Sequence, residues 1–142
     1  MTNEEKRAWA VYYAWEWIGR PYIYGGNGPY PDCSGFAQIV LRAVGMDPPG
    51  DQRAIGLYKH FKASTVLVPK AGCVVFFGRN TTDISHVAVM LTDELMIEAA
   101  GGGSNTTTIE EANRVGAYVM LSPLSRRKDL VAIVDPFQAS NG

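Results

Sequence analysis

The side chains in this sequence best suited to nucleophilic chemistry are two thiols and two imidazoles: Cys33, Cys73, His60 and His86. A cysteine attacks as its thiolate, and a histidine takes and returns a proton near neutral pH. A cysteine and histidine brought together therefore make an acyl-transfer site. The four are not equivalent. Cys33 ends the stretch YGGNGPYPDC and begins CSGFAQIVLRAVG. The glycines and prolines end regular structure ahead of it, so Cys33 falls in the first turn of a helix, where free backbone N–H groups and the helix dipole favour an anion. That setting predicts a lowered thiol pKa, with Gly25, Gly26 and Gly35 leaving room for a substrate backbone. The alternative is that Cys33 is a small core residue at a helix start. Cys73, in GCVVFF, reads as a buried strand residue, and His60, in GLYKHFK, as a surface residue beside two lysines. His86 opens HVAVML, where Val87, Val89 and Leu91 alternate with His86, Ala88 and Met90. The imidazole thus shares a face with small or flexible neighbours and not with the branched apolar set.

A base needs an orienting group, and Glu98 is placed to be one. If 86–91 and 95–100 form a hairpin, Leu95, Ile97 and Ala99 must join Val87, Val89 and Leu91 on the core face, since a one-residue slip would expose one set. Met96, Glu98 and Ala100 then face the way His86 faces. A loop of Thr92, Asp93 and Glu94 sets residue 98 opposite 88 and diagonal to 86, roughly 7–8 Å away at the backbone. A carboxylate there accepts a hydrogen bond from the imidazole and fixes its tautomer. The rival reading is a solvated residue; in either case Glu98 is expected at the rim of a cleft and not in the core.

The elements that must hold these groups follow from punctuation and period. Thr2 and Glu5 form a capping-box pattern, and Trp9, Tyr13 and Trp17 recur at helical spacing until Gly19 and Pro21 end the run. The second helix starts at Cys33, with Phe36, Ile39, Val40 and Ala43 on one stripe, and stops at Gly45. A third, shorter helix is expected from near Asp51, with Ala54, Leu57, Tyr58 and Phe61 inward. The pattern then turns to period two, predicting strands at 73–78, 86–91, 95–100, 117–122 and 129–134, joined by the polar loops GRNTTDIS, TDE and GGGSNTTT. Helices followed by strands, with no repeat or linker, predict one α+β unit over residues 1–142 with an antiparallel sheet.

Composition bounds the partners. The 142 residues carry a net charge of −1, with 46% hydrophobic and 19% charged residues, which points to an ordinary globular protein with no basic face for nucleic acid. Apolar runs such as GAYVML fall far short of the roughly 20 residues that span a bilayer, and MTNEEKRAW is charged where a signal peptide turns apolar. Two cysteines make neither a disulfide framework nor a zinc site. The sequons at Asn80 and Asn105 read as chance.

GRPYIYGG, DCSGFAQIVL, KAGCVVFF and SHVAVML resemble, in order and spacing, successive motifs of the NlpC/P60 family of cysteine peptidases, over residues 19–100 or more. The resemblance implies a papain-like fold, with N-terminal helices packed on a central antiparallel sheet. It also implies hydrolysis of amide bonds in bacterial cell-wall peptide stems, most often between γ-D-glutamate and a diamino acid. It matches Cys33 to the nucleophile, His86 to the base and Tyr22 to a tyrosine beside the reacting carbonyl. Asp32 and Ser34 match positions tied to recognising the stem, and Tyr24 and Gly25 join the expected substrate-binding set. Cys73 replaces the usual aspartate of PGDLVFF, and Glu98 replaces the family's usual second histidine. The candidate catalytic set is therefore Cys33, His86, Glu98 and Tyr22, with no metal or organic cofactor required. The implied partner is the peptide stem of peptidoglycan or a muropeptide, and the expected state is a monomer. Made in the cytoplasm with no export address read in its sequence, the protein would either be delivered by other machinery, as a phage lysin, tail component or secreted effector is, or act on wall fragments inside the cell. Two alternatives accompany this reading: a non-catalytic module that binds stems in the same fold, and an acyltransferase or amidase on a substrate outside the wall.

Overall fold

The computed structural model describes residues 1–138; the last four residues of the unit expected over 1–142 lie outside the described residues. Helix α1 (Asn3–Glu16) starts with the predicted capping box, in which Thr2 accepts from the Glu5 N–H and Glu5 from the Thr2 N–H. Its fully buried positions are small or charged and lie beside the aromatic row. Arg7, Ala10 and Ala14 point inward; of the row Trp9, Tyr13 and Trp17, Trp9 is half exposed, while Tyr13 and Trp17 are partly buried, Trp17 against the core. The two alanines let α1 lie close on α2 (Cys33–Ala43), and the Arg7 guanidinium makes two bonds of 3.0 Å to the buried Asp135 carboxylate beyond the last strand. Helix α2 is buried from Ser34 through Leu41. Helix α3 (Ala54–Phe61) begins after Arg53 and not at Asp51, with Ala54, Leu57 and Phe61 inward.

Six strands form one sheet in the order β1-β6-β2-β3-β4-β5: β1 (Thr65–Val66), β2 (Val74–Asn80), β3 (Asp83–Met90), β4 (Leu95–Ala100), β5 (Tyr118–Pro123) and β6 (Leu130–Val134). Every pairing is antiparallel, so the α+β expectation holds. Besides two single 3-10 turns, Lys62–Ser64 and Leu124–Arg126, two elements went unpredicted. One is the two-residue β1; the other is α4 (Ile109–Val115), capped by Thr108 and closed by Gly116 at φ 74°. The stretch GRNTTDIS is also not a loop. Strands β2 and β3 run on through it to a turn at Thr81 and Thr82, with register shifts around Gly78. A Cβ on Gly78 would stand 2.1 Å from the Asp83 carbonyl oxygen, so only glycine lets the strands close at that irregularity.

The sheet buries both faces. Val87, Val89, Ile97 and Ala99 pack under the helices, as the alternation predicts. The opposite face is a second core of Cys73, Val75, Phe77, Ala88, Met90, Met96 and Ile133, with Val66 and Leu124 against it. His86 and Glu98 share that second face; Glu98 is 0% exposed, which corrects its expected place at a cleft rim.

Candidate active site

The approach to α2 is a chain folded tightly on itself. Asp32 caps the helix: Oδ1 accepts from the Gly35 N–H at 2.7 Å and the Ser34 hydroxyl at 3.3 Å, and Oδ2 from the Gly25 N–H at 3.1 Å. Gly25 sits at φ 75°, and a Cβ on Gly35 would meet the Gly26 carbonyl oxygen at 1.9 Å. Gly26 is equally closed in, its Cβ position 2.1 Å from the Tyr30 carbonyl oxygen. Gly26 and Gly35 therefore let the loop press on the helix start, and do not hold open space for a substrate as their sequence context had suggested. Gly35→Ala is accordingly expected to destabilise the fold by about 1–3 kcal/mol, because backbone must move to admit one methyl. Thermal unfolding checks this, with a fall in Tm of several degrees expected.

Cys33 is partly buried, and the nearby backbone amides of Val87, Ser34 and its own residue favour the thiolate. The Val87 contact brings the thiol to the strand residue next to His86. Burial, followed by the negative charge of Asp32, outweighs those amides and pushes the thiol up to about 11, the opposite of the direction expected from the helix terminus alone. Cys73 is fully buried and also pushed up, chiefly by burial. Both thiols are free.

His86 lies opposite Phe77 across the β2–β3 pair, with the rings 5.5 Å apart. Its Nε2 is 2.7 Å from Glu98 Oε1. The register Val89↔Ile97 and Met90↔Met96 continues to set 98 opposite 88, as the hairpin argument requires. Glu98 Oε2 accepts from Arg126 Nη2 at 2.8 Å and Nε at 3.2 Å, and the Ser122 hydroxyl also reaches the carboxylate. Burial alone would raise the Glu98 pKa; the bonds from His86 and Ser122, the His86 charge and Arg126 bring it down to about 2. A carboxyl depressed in the folded state stabilises the fold above its ordinary value near 4.5, and that contribution is lost as pH falls towards 2. With Glu98 ionised and accepting, the imidazole carries its proton on Nε2, and Nδ1 is the nitrogen left to take another.

An open cleft leads to the sulfur, lined by Tyr22, Tyr24, Asp32, Cys33, Ser34 and Arg53 on one side and by Thr82 to Ser85 of the β2–β3 hairpin on the other. Gly25 is not among the lining residues; it reaches the site only through Asp32. The Tyr22 ring is pinned by Gly102, whose Cβ position is 2.4 Å from the ring, and by a backbone bond to the Ala117 carbonyl. Burial, then Cys33, Asp32 and Tyr24, pushes its hydroxyl up to about 12. His60 is exposed and stacked edge-on with Phe61, away from these groups.

The profile of the NlpC/P60 family matches residues 19–120. The chain belongs to that family. It is 33% identical over 96 residues to a probable endopeptidase p60 of Listeria innocua, and 35% identical over 97 residues to protein P54 of Enterococcus faecium. Those alignments cover 67% and 65% of this chain but 20% and 18% of the relatives, so the chain spans about a fifth of the curated relatives it matches. The NlpC/p60 domain of the peptidoglycan hydrolase SagA superposes with a TM-score of 0.70 at 25% identity, covering 91% of this chain and 97% of that one. The peptidoglycan hydrolase RipB of Mycobacterium tuberculosis gives 0.74 at 20% identity, over 96% of this chain and 67% of that one, a likeness of fold.

Within this NlpC/P60 chain the fold gathers Tyr22, Tyr24, Asp32, Cys33 and Ser34 in one cleft, and joins His86 to Glu98 behind it. Sequence reasoning missed Arg126, which holds the far oxygen of Glu98, Ser122, whose hydroxyl lowers the Glu98 pKa, and Arg53, which lines the cleft. A buried carboxylate calls for a cation, and the run RRK at 126–128 could have supplied one, but a Glu98 expected at a cleft rim needed none. Among the described residues no helix is long and apolar enough to cross a membrane.

The unlike surroundings of the two thiols make a prediction. Iodoacetamide at neutral pH is expected to label the native protein once, at Cys33, with Cys73 reacting only after denaturation. Peptide mapping reads the site, and earlier labelling of Cys73 would overturn this placement.

Proposed function

We propose that the chain hydrolyses an amide bond in the peptide stems of peptidoglycan, through a thioester on Cys33. The observation that carries the proposal is the site's connectivity in this family: a helix-start thiol against the Val87 amide, next to an imidazole whose Nε2 is bonded to Glu98. Nδ1 of His86 takes the thiol proton as sulfur attacks the carbonyl carbon. The negative oxygen meets the Cys33 backbone N–H and the Tyr22 hydroxyl. That hydroxyl, held up to about 12, remains a proton donor at any ordinary pH. His86 returns its proton to the amine as the C–N bond breaks. A water then adds to the thioester with His86 taking its proton, and the thiol is restored.

The bond we assign is that between γ-D-glutamate and the diamino acid. Asp32 has little capacity left for a substrate, its oxygens already holding Gly25, Ser34 and Gly35. Substrate contacts are assigned instead to Tyr24, Ser34 and Arg53, whose guanidinium is without a hydrogen bond or ion pair among the described residues. Delivery to the wall by phage or secretion machinery, and action as a monomer, belong to the same proposal.

Digestion of purified peptidoglycan followed by mass analysis of the released fragments tests it. Fragments ending in γ-D-glutamate, matched by others with a free diamino-acid amine, are the expected result. Binding without release would favour a stem-binding module, and cleavage elsewhere would reassign the bond.

A further inference from the structure

The two oxygens of Glu98 have separate duties. Oε1 faces His86 Nε2 at 2.7 Å, and Oε2 takes both the Nη2–H and Nε–H of Arg126. The carboxylate is fully buried, while the Arg126 side chain is 45% exposed and reaches in from the turn Leu124–Arg126 that follows β5. A buried carboxyl without a cation tends to take up a proton. Protonation here would do more than remove a charge. The O–H of a neutral Glu98 would donate to Nε2, and a neutral imidazole has only one proton to place. That proton would move to Nδ1, the nitrogen that has to receive the proton of the thiol. The ring would keep its position and lose its function as a base.

We propose that Arg126 is a positioning residue that keeps Glu98 a hydrogen-bond acceptor and so holds His86 in the tautomer with its proton on Nε2 and its lone pair on Nδ1. The proposal rests on the reading of His86 as the proton acceptor for Cys33. The other charged groups around the ring do not supply this. Cys33 and Asp32 at the start of α2 are acidic. Asp129, before β6, is paired with Arg127 at 2.7 and 2.9 Å, and Asp83, at the far end of β3, is paired with Arg79. Arg127 lies over the Phe77 ring at 4.9 Å with its N–H groups on Asp129; it feels the charge of Glu98 without bonding to it, leaving Arg126 as the cation bonded to Glu98.

The test compares Arg126→Gln and Arg126→Lys in the wild-type and Glu98→Gln backgrounds. Two rates are followed against pH: hydrolysis of peptidoglycan fragments, and alkylation of Cys33 by iodoacetamide. Arg126→Gln is expected to lower kcat about ten- to a hundredfold near pH 6, with KM little changed, in the pattern of a lost transition-state interaction. The loss should shrink as pH rises and Glu98 ionises again, so the acid limb of both profiles moves to higher pH. Arg126→Lys should return most of the rate, since it restores a cation. In the Glu98→Gln background there is no carboxyl to take up a proton, so Arg126→Gln should not shift the acid limb of either profile. An equal loss at every pH, an equal effect in the Glu98→Gln background, or unchanged profiles in Arg126→Gln would each overturn the proposal. Should the wild type release no fragments, the substrate reading fails while the alkylation profile, which needs no substrate, still decides the role of Arg126.

Discussion

Cys33→Ser is expected to lower peptidoglycan hydrolysis by about 10⁴-fold or more, because the attacking atom changes from a soft, ionisable sulfur to a hydroxyl the site is not built to activate. The substitution keeps the size of the side chain and leaves the Asp32 cap and the α2 packing untouched, so Tm should move little. Binding of stem fragments should survive, which makes the variant the natural one for trapping a complex. Fragment release followed by mass analysis over hours reads the effect. A rate within tenfold of wild type would remove Cys33 from the role of nucleophile.

His86→Ala is expected to cost about 10³- to 10⁴-fold at neutral pH, since general-base assistance and thiolate formation are lost together. The surroundings of Cys33 explain the size. With the thiol pushed up to about 11, only about one molecule in ten thousand would carry a thiolate at pH 7 unaided. The residual rate of the variant should therefore rise about tenfold per pH unit towards the thiol's own titration, a climb the wild type has no need of. Removing the ring also leaves Glu98 Oε1 without its partner inside the protein, so a loss of about 1–3 kcal/mol in stability should accompany the loss of rate. His60→Ala, on the exposed side of α3, should leave both nearly unchanged. Equal losses for the two histidine variants would show that the rate effect does not come from proton transfer at position 86.

The parts of the fold legible in the sequence are those where a local signal agrees with the burial around it. Thr2 and Glu5 make their capping box, Cys33 starts its helix, and the alternation from His86 to Leu91 fixes a register that carries Glu98 to its partner. Where two influences compete, sequence pattern gave one side only. At Cys33 the helix terminus favours the thiolate, but burial and Asp32 act the other way and prevail. At Glu98 the weakly apolar company of Ala88, Met90 and Met96 suggested an open face, yet those residues form a second core. Small and unbranched side chains fill a sheet face as well as valines do, and they leave no alternation to read. Helix α4 shows a different failure. Thr108, Glu111 and Gly116 are serviceable start and stop signals, but they follow a run of glycine, serine and threonine that reads as loop throughout.

The nucleophile and the base are anchored by unlike parts of the chain. His86 and Glu98 lie on β3 and β4, each paired on both sides inside the six-stranded sheet. Cys33 depends on the approach from Tyr22 to Pro31, which lacks regular structure and is tied down by a few bonds, among them Tyr24 N–H to the Thr106 carbonyl and Asp32 N–H to the Gly26 carbonyl. Amide hydrogens of the central strands should accordingly exchange with solvent only when the whole sheet opens, whereas those of the approach exchange through small local openings. Each such opening loosens the thiol's alignment while the imidazole stays fixed. On warming, the protein should therefore cease to turn over before it melts, and the temperature gap between the two events measures how firmly the approach is held.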